Sequence, residues 1–204
     1  LPLPELPIEL TIERLGQLGE GVASWQGRTV FIPGTFPGDT VRVHLETQGR
    51  VLRGILRQVV SPGPDRRDAP CVYASDCGGC DWLALAEPAQ RSAKQEIVLS
   101  TLEHLGHLAR DSFTVRPLLV APRDWGYRRR AVLHPAGKGA LGYFGRRSHE
   151  RVPVEVCGAL TPVLTALPGK LAPLLKPLAK DAEEVLLLAE GDKAAFEVNI
   201  LESF

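Results

Sequence analysis

Glycine and proline interrupt the first sixty residues every few positions, and this spacing restricts the fold more than any other feature of the chain. Between these turn residues lie short alternating or β-branched runs, which predict strands at 8–14, 28–32, 40–45 and 50–60. Several short strands with such turns predict a small barrel of the OB type. The glycines of 16–21 have the spacing of a dinucleotide-binding loop, but the residues that follow indicate a strand where that loop requires a helix.

The rest of the chain predicts a mixed α/β region after a proline-rich linker at 61–65. An apolar stripe predicts a helix from about Glu87 to Leu105, with Gly106 at its end. Prolines within 160–179 predict short helices there. Further strands are predicted at 115–120, 127–134, 140–144, 151–156, 184–188 and 195–201. We expect the last sheet to be unfinished where the chain stops at Phe204.

Charge is balanced overall but not locally. The 24 Lys and Arg residues match 24 Asp and Glu residues, which argues against a globally basic nucleic-acid binder and against an acidic disordered chain. Within 121–157, however, eight basic and three acidic residues leave a net charge of +5. Clustered guanidinium groups suit phosphate, although a solvated face with salt-bridge partners elsewhere would show the same pattern.

The chain shows no membrane or export signal. No apolar run approaches the roughly 20 residues of a membrane helix, and the first residues have neither the basic end nor the apolar stretch of a signal peptide. We therefore expect a cytoplasmic protein that does not bind a membrane. The chain contains no methionine, so we also expect it to be a piece of a longer protein.

Four cysteines, Cys71, Cys77, Cys80 and Cys157, form the strongest chemical pattern in the sequence. Three closely spaced cysteines and one remote cysteine are typical of an iron–sulfur cluster. Structural zinc more often uses two Cys-x2-4-Cys pairs, and disulfides need an oxidising compartment. The spacing favours iron–sulfur over zinc, with disulfides or unliganded core thiols third.

Three stretches resemble the bacterial RNA uracil-5 methyltransferases. The resemblance covers nearly the whole chain from residue 8, and the stretches occur in the same order as in that family. CVYASDCGGCDW at 71–82 is similar to the family's cluster segment. IERLGQLGEGVA at 12–23, continued by FIPGTFPGD at 31–39, is similar to the TRAM domain, an OB-like RNA-binding barrel. WGYRRR at 125–130, followed by LGYF and the segment that ends at Cys157, resembles the central domain.

This resemblance implies an OB-like (TRAM) barrel followed by a mixed α/β central domain. The implied segments are the barrel at 1–62, an iron–sulfur cysteine segment at 63–84, a helix at 85–110 that links to the catalytic domain, and an incomplete central domain at 111–204. It also implies a 4Fe-4S cluster on Cys71, Cys77, Cys80 and Cys157.

The resemblance further implies that the barrel and the basic strands hold ribosomal RNA, in preference to tRNA, while the target uridine is flipped out. The RNA-binding residues implied are Arg128, Arg129, Arg130, Arg146 and Arg147. Because a strand alternates its faces, Arg128 and Arg130 would not share a surface with Arg129. The nearby aromatic residues Trp125, Tyr127, Tyr143 and Phe144 are interpreted as core more readily than as base-stacking groups.

The family's chemistry requires a cysteine that attacks C6 of uracil, a carboxylate base and a Rossmann-like domain that binds S-adenosylmethionine (SAM). No strand, Gly-rich turn and helix of that form occurs in the sequence, so we expect that domain to lie outside this chain. If all four cysteines bind the cluster, no thiol remains as nucleophile, and we expect the chain by itself to be inactive. A stand-alone iron–sulfur RNA-binding module and a redox or iron sensor stay open as alternatives. We expect a monomer.

Overall fold

A computed structural model describes residues 2–178 and 182–200 of the chain. Contacts within the chain divide it into two compact units. The first unit comprises Leu1–Pro70 and Asp81–Leu119, and the second comprises Cys71–Cys80 and Val120–Phe204. The cysteine loop Cys71–Cys80 thus groups with the second unit although first-unit residues flank it on both sides. The segment boundaries at 62, 84 and 110 stay predictions.

The first unit is built on one six-stranded sheet. Its strands, in chain order, are β1 (Ile8–Thr11), β2 (Arg14–Leu15), β3 (Gly21–Trp25), β4 (Arg28–Ile32), β5 (Thr40–Gln48) and β6 (Val51–Ser61). They pair in the order β1-β5-β6-β4-β3-β2, and only β4 and β6 are parallel within the described residues. The strands predicted from the sequence are confirmed, and a strand does follow the glycine run.

The sheet curls into a half-barrel, because its two edges belong to one short stretch of chain. β1 and β2 lie at opposite edges of the sheet, yet only Ile12 and Glu13 separate them. The Ile12 amide donates to the Asp39 carbonyl at 2.8 Å, and the Glu13 amide donates to the Val22 carbonyl at 2.8 Å. Residues 8–15 therefore join the two edges.

Apolar side chains on the concave face of the half-barrel form its core. Along β5, Val41, Val43 and Leu45 are buried while their neighbours are more exposed, as the period of two requires. They pack with buried residues of β1, β4 and β6. Each fully buried aliphatic side chain contributes about 1.5–3 kcal/mol relative to exposure, so this alternation stabilises the curled sheet.

The buried carboxylate of Asp39 connects the start of β5 to the segment that follows β6. The Asp39 side chain is fully buried and accepts hydrogen bonds from the Phe36 amide at 2.7 Å, the Gly63 amide at 2.8 Å and the Arg66 guanidinium at 2.6 and 2.8 Å. The Arg66 guanidinium also lies 4.7 Å from the centre of the Phe36 ring. Burial alone would raise the pKa of Asp39, but the hydrogen bonds from Arg66, Gly63 and Phe36 outweigh it and hold the pKa below its usual value.

The long helix predicted at 87–105 is confirmed as α1 (Glu87–His104). Proline in its first turn suits the helix start, where the amide would have no intrahelical partner. The Gln90 amide group donates to the carbonyls of Trp82 and Leu85 at 3.0 and 2.8 Å, which fastens the first turn to the preceding segment. No residue of α1 is buried within the described chain.

The second unit contains a five-stranded antiparallel sheet. Its strands are β7 (Arg130–Pro135), β8 (Leu141–Phe144), β9 (Arg151–Pro153), β10 (Ala182–Glu190) and β11 (Lys193–Ile200), in the order β11-β10-β7-β8-β9. Two short helices, α2 (Pro162–Thr165) and α3 (Leu167–Leu175), precede a 3-10 turn at Lys176–Leu178. Leucines of the helices and of β7, β8 and β10 form its core.

Most of the sequence predictions for the second unit are confirmed, but the strand predicted at 115–120, where the first unit ends at Leu119, was wrong. Those residues have no regular secondary structure, and Leu119 is 96% exposed. Pro117 lies in the middle of the run and supplies no amide for a strand ladder. Some of the predictions lie outside the described residues. These are the last residue of the predicted helical stretch at 160–179, the last residue of the predicted strand at 195–201, and the expected unfinished edge of the sheet. None of the described helices is long and apolar enough to cross a membrane.

Candidate functional site

All four cysteines belong to the second unit, where they lie near one another. Cys71, Cys77 and Cys80 lie on the cysteine loop, and Cys157 follows β9. Each is a half-buried free thiol. Burial raises the pKa of Cys77 and Cys80, and the nearby thiols of Cys71 and Cys157 raise it further, because neighbouring thiolates repel each other. The fold thus brings a remote cysteine to three that are close in sequence.

The two glycines between Cys77 and Cys80 have different roles. The Gly78 amide donates to the Phe144 carbonyl at 2.9 Å, and a β-bridge joins Cys77 to Gly145. A Cβ on Gly78 would lie 3.0 Å from the carbonyl oxygens of Phe144 and Gly145, whereas a Cβ on Gly79 would meet only the Cys77 sulfur, at 3.5 Å. Gly78 is therefore required for close docking of the loop on β8. Gly79 instead supplies an amide that donates to the Cys77 sulfur at 3.4 Å.

Cys157 is fixed by its backbone and by a tyrosine. Its amide donates to the Thr165 carbonyl at 3.0 Å. Burial, followed by the proximity of Cys157 and a hydrogen bond to it, raises the pKa of Tyr143 well above its usual value. The hydroxyl of Tyr143 therefore stays protonated and acts as a donor to the Cys157 sulfur. On the loop side, the Tyr73 hydroxyl accepts a hydrogen bond from the Glu155 amide at 3.2 Å.

The donor set fits a thiolate-bound metal or cluster in its chemistry. Four thiols lie near one another, and an N–H group and an O–H group donate to two of the sulfurs, as groups around metal ligands commonly do. Among residues 2–178 and 182–200, however, no group of three or more His, Cys, Asp or Glu side chains has the arrangement of a metal site. The thiols are thus gathered without being set in a metal-binding geometry, and the bound group stays a prediction.

The five arginines predicted to bind RNA fall into two sets. Arg128 donates from Nη2 to the Gly79 carbonyl at 3.3 Å. Arg146 donates from Nη2 to the carbonyls of Ala74 and Cys80, at 3.2 and 3.1 Å. Both side chains thus contact the cysteine loop, which the sequence did not indicate.

The other three arginines have exposed side chains, as Arg128 also does, whereas Arg146 is half-buried. Arg130 lies at the start of β7, and Arg147 follows β8 in a left-handed turn. Arg129 makes a 3.3 Å contact with the Ala189 carbonyl. Arg128 and Arg129 both precede β7, so the strand alternation expected to separate them does not apply, although their side chains contact different carbonyls. The backbone of Arg128 pairs with the segment that contains Leu160. The RNA-binding role of all five stays a prediction.

The aromatic residues of this stretch were interpreted as core, and this was wrong for Tyr127 and Phe144, which are 52% and 38% exposed. The Phe144 ring lies 4.3 Å from the His134 ring and 6.1 Å from the His149 ring, measured between centroids. Trp125 and Tyr143 are half-buried. Leu141 faces the core from β8. Phe144 lies three residues later on the same strand, and side chains alternate between the two faces of a strand, so the Phe144 side chain points away from the core.

The half-barrel sheet belongs to a known class of domain. The TRAM domain family model matches residues 7–56, which contain β1 to β5 and the first half of β6.

Curated relatives extend the comparison to most of the chain. An uncharacterized RNA methyltransferase of Thermosynechococcus vestitus is 38% identical over 175 residues, which are 83% of this chain and 38% of the relative. The 23S rRNA (uracil(1939)-C(5))-methyltransferase RlmD of Shewanella sediminis is 34% identical over 94% of this chain and 44% of the relative. RlmD of Shewanella amazonensis is 36% identical over 84% of this chain and 39% of the relative.

Over most of its length, the chain is therefore a homologue of the RNA methyltransferases that include the 23S rRNA uracil-C5 methyltransferases, and it carries their TRAM domain. The chain spans about two fifths of the length of these curated relatives.

Proposed function

We propose that the chain is the RNA-holding and cluster-bearing part of a SAM-dependent 23S rRNA uracil-C5 methyltransferase that works in the cytoplasm. The observation that carries this proposal is the match of 84–94% of the chain to two relatives named for that reaction. The TRAM domain supports an RNA partner. The SAM site and the nucleophilic cysteine belong to sequence outside these 204 residues, since this proposal assigns all four thiols, which lie near one another, to the cluster.

In this proposal Cys71, Cys77, Cys80 and Cys157 hold a 4Fe-4S cluster. Three near cysteines and one remote cysteine suit the ligand pattern of such clusters, and the Gly79 amide supplies a sulfur-directed donor. When bound, the cluster supplies a covalent cross-link between the cysteine loop and the segment after β9, and its binding energy adds to folding. Tyr143 orients the Cys157 sulfur through its hydroxyl.

The RNA backbone is held by exposed cations of the second unit, together with the TRAM half-barrel. Arg129, Arg130 and Arg147 present guanidinium groups at the surface of the stretch with net charge +5. Guanidinium groups bind phosphate oxygens in pairs, which positions RNA without reading its sequence. Base recognition and extrusion of the target uridine then occur at the domain that carries SAM.

The first experiment tests the cluster. The chain is purified without oxygen, and iron, acid-labile sulfide and zinc are measured in the wild type and in Cys80→Ser. The proposal expects iron and sulfide in equal amounts in the wild type and their loss in the variant. Stoichiometric zinc without sulfide would contradict it.

The second experiment tests the partner. Binding to a 23S rRNA fragment around the uridine modified by the relatives is compared with binding to a tRNA of similar length, over a range of salt concentrations. Tighter binding to the rRNA fragment is expected. If Arg129 neutralises one phosphate of a single strand, Arg129→Ala should reduce the salt slope by about 0.7. Equal binding to both RNAs would overturn the rRNA assignment.

The third experiment distinguishes the enzyme from a stand-alone RNA-binding module. The mass of the denatured protein made by its own cells is measured, and that protein is tested for SAM binding. A mass near twice 22.2 kDa or above, with SAM binding, supports the enzyme. A mass of 22.2 kDa without SAM binding supports the module.

A further inference from the structure

We propose that Arg128 and Arg146 are positioning residues for the cysteine ligands, and that their guanidinium groups hold the cysteine loop in the conformation that presents its thiols. This inference rests on the proposed function, because it concerns the site assigned above to the cluster. It removes two of the five arginines from the set predicted to bind RNA.

Arg146 fastens both halves of the loop at once. Its Nη2 donates to the Ala74 carbonyl at 3.2 Å and to the Cys80 carbonyl at 3.1 Å, so one guanidinium spans the loop from before Cys77 to Cys80. Its backbone amide also donates to the Asp76 carbonyl at 3.0 Å. Side chain and backbone together therefore contact three loop carbonyls, and the Arg146 side chain is only partly exposed.

Arg128 fixes the turn between the two inner cysteines. Its Nη2 donates to the Gly79 carbonyl at 3.3 Å, which orients the peptide that joins Gly79 to Cys80. Arg128 is itself held by its backbone, since its amide donates to the Ala159 carbonyl at 2.9 Å and its carbonyl accepts from the Thr161 amide at 2.9 Å. The guanidinium thus extends from a rigid segment to a loop whose central residues are glycines and have little intrinsic stiffness.

The two guanidinium groups also supply charge where the thiols need it. Both groups lie within hydrogen-bond distance of the loop's own carbonyls, Arg128 at Gly79 and Arg146 at Ala74 and Cys80, so they place positive charge beside the cysteines. Thiolates are the form that binds metal, and four of them in one place repel each other. Arginine suits this position because it stays charged and presents its donors in a fixed planar group, whereas a lysine ammonium is a single point on a flexible stem.

The experiment uses four Gln substitutions in the whole chain. Arg128→Gln and Arg146→Gln remove the hydrogen bonds to the loop, while Arg129→Gln and Arg147→Gln remove neighbouring exposed arginines and serve as matched controls. Arg146→Lys keeps the charge but replaces the planar guanidinium with an ammonium group on a flexible stem. Thermal unfolding monitored by circular dichroism identifies any variant that fails to fold.

The first readout is amide hydrogen exchange of residues 71–80 in the metal-free protein. Removing a hydrogen bond from a charged group should speed exchange in this loop about tenfold in Arg128→Gln and Arg146→Gln. The two control variants should exchange like the wild type. Unchanged exchange in both loop variants would overturn the inference, whether or not the protein binds a cluster.

The second readout is the reconstituted cluster itself. Iron loss to a chelator should be faster in Arg128→Gln, Arg146→Gln and Arg146→Lys than in the wild type. The midpoint potential should fall in the two Gln variants, because a nearby positive charge stabilises the more negative reduced cluster, and should be restored in Arg146→Lys. A merely structural role would not give that restoration. If the wild type binds no iron, the cluster assignment fails while the exchange data still decide the role of the arginines.

Discussion

Neutralising Asp39 tests how burial affects the stabilising free energy of an ion pair in this fold. We expect burial to matter more than the distance between the charged atoms. In Asp39→Asn the side chain keeps its size, but one of its two oxygens becomes an amide nitrogen that cannot accept. Each carboxylate oxygen accepts two hydrogen bonds, one from a backbone amide and one from Arg66. The substitution therefore leaves one backbone N–H and one N–H of Arg66 facing the amide nitrogen of the asparagine, which is itself a donor.

The cost can be estimated from these hydrogen bonds. Two hydrogen bonds to a charged group are worth about 3–6 kcal/mol together, and removing one partner of a buried ion pair costs about 3–5 kcal/mol. We therefore expect the local stability of the half-barrel to fall by about 3–5 kcal/mol. Amide exchange of Val41 and Val43, which are fully buried in β5, measures that free energy directly.

The control is an ion pair of the same length at the surface. Arg42 and Glu9 also approach to 2.6 Å, but their side chains are 45% and 49% exposed, against 16% and 0% for Arg66 and Asp39. Glu9→Gln should cost at most about 1 kcal/mol. Equal destabilisation of the two variants would refute the reasoning.

The same comparison has a defined pH dependence. The pKa of Asp39 is lower in the folded protein than in the unfolded chain, so its contribution is fully present above the unfolded value of about 3.9. It disappears as the pH falls through the folded value. The stability difference between wild type and Asp39→Asn should therefore shrink in acid, and a difference that grew there would contradict the assignment.

Two further predictions concern glycines. Gly78→Ala should weaken docking of the cysteine loop and speed exchange of the loop amides, whereas Gly79→Ala should be tolerated. For the proposed cluster, Gly78→Ala should also give the lower iron content. Equal exchange in the two variants would contradict the different roles of the two glycines. In β8, a Cβ on Gly142 would lie 1.9 Å from the Val152 carbonyl oxygen, so Gly142→Ala should disrupt the pairing of β8 with β9 and lower the melting temperature. Gly145→Ala, where the nearest atoms lie at 3.5 Å, is the matched variant and should melt like the wild type.

Local patterns predicted most of the secondary structure. The alternation of 40–45 became β5 with Val41 and Val43 inside, and the prolines of 160–179 did produce short helices. The failure at 115–120 is also local, since Pro117 within this short apolar run removes a ladder amide. The period of two and the position of turn residues are properties of neighbouring residues, so a sequence displays them.

Long-range partners could not be predicted in this way. A run of arginines does not reveal that Arg128 and Arg146 contact carbonyls some fifty to seventy residues away. The burial of Asp39 likewise depends on Arg66, which lies 27 residues later and carries no local signal. The proximity of Cys157 to the other three thiols was the exception, because the cysteine spacing and the resemblance to a family both indicated it.

The route of the chain between the two units limits how the protein can be divided. It leaves the first unit for the ten residues Cys71–Cys80, returns, and enters the second unit again at Val120. A single protease cut at that re-entry would strand three of the four thiols on the fragment that carries the TRAM domain. On a ribosome, too, Cys71, Cys77 and Cys80 emerge well before Cys157, so three of the four thiols are present before the fourth has been synthesised. Insertion of the proposed cluster during translation would therefore meet only three thiols.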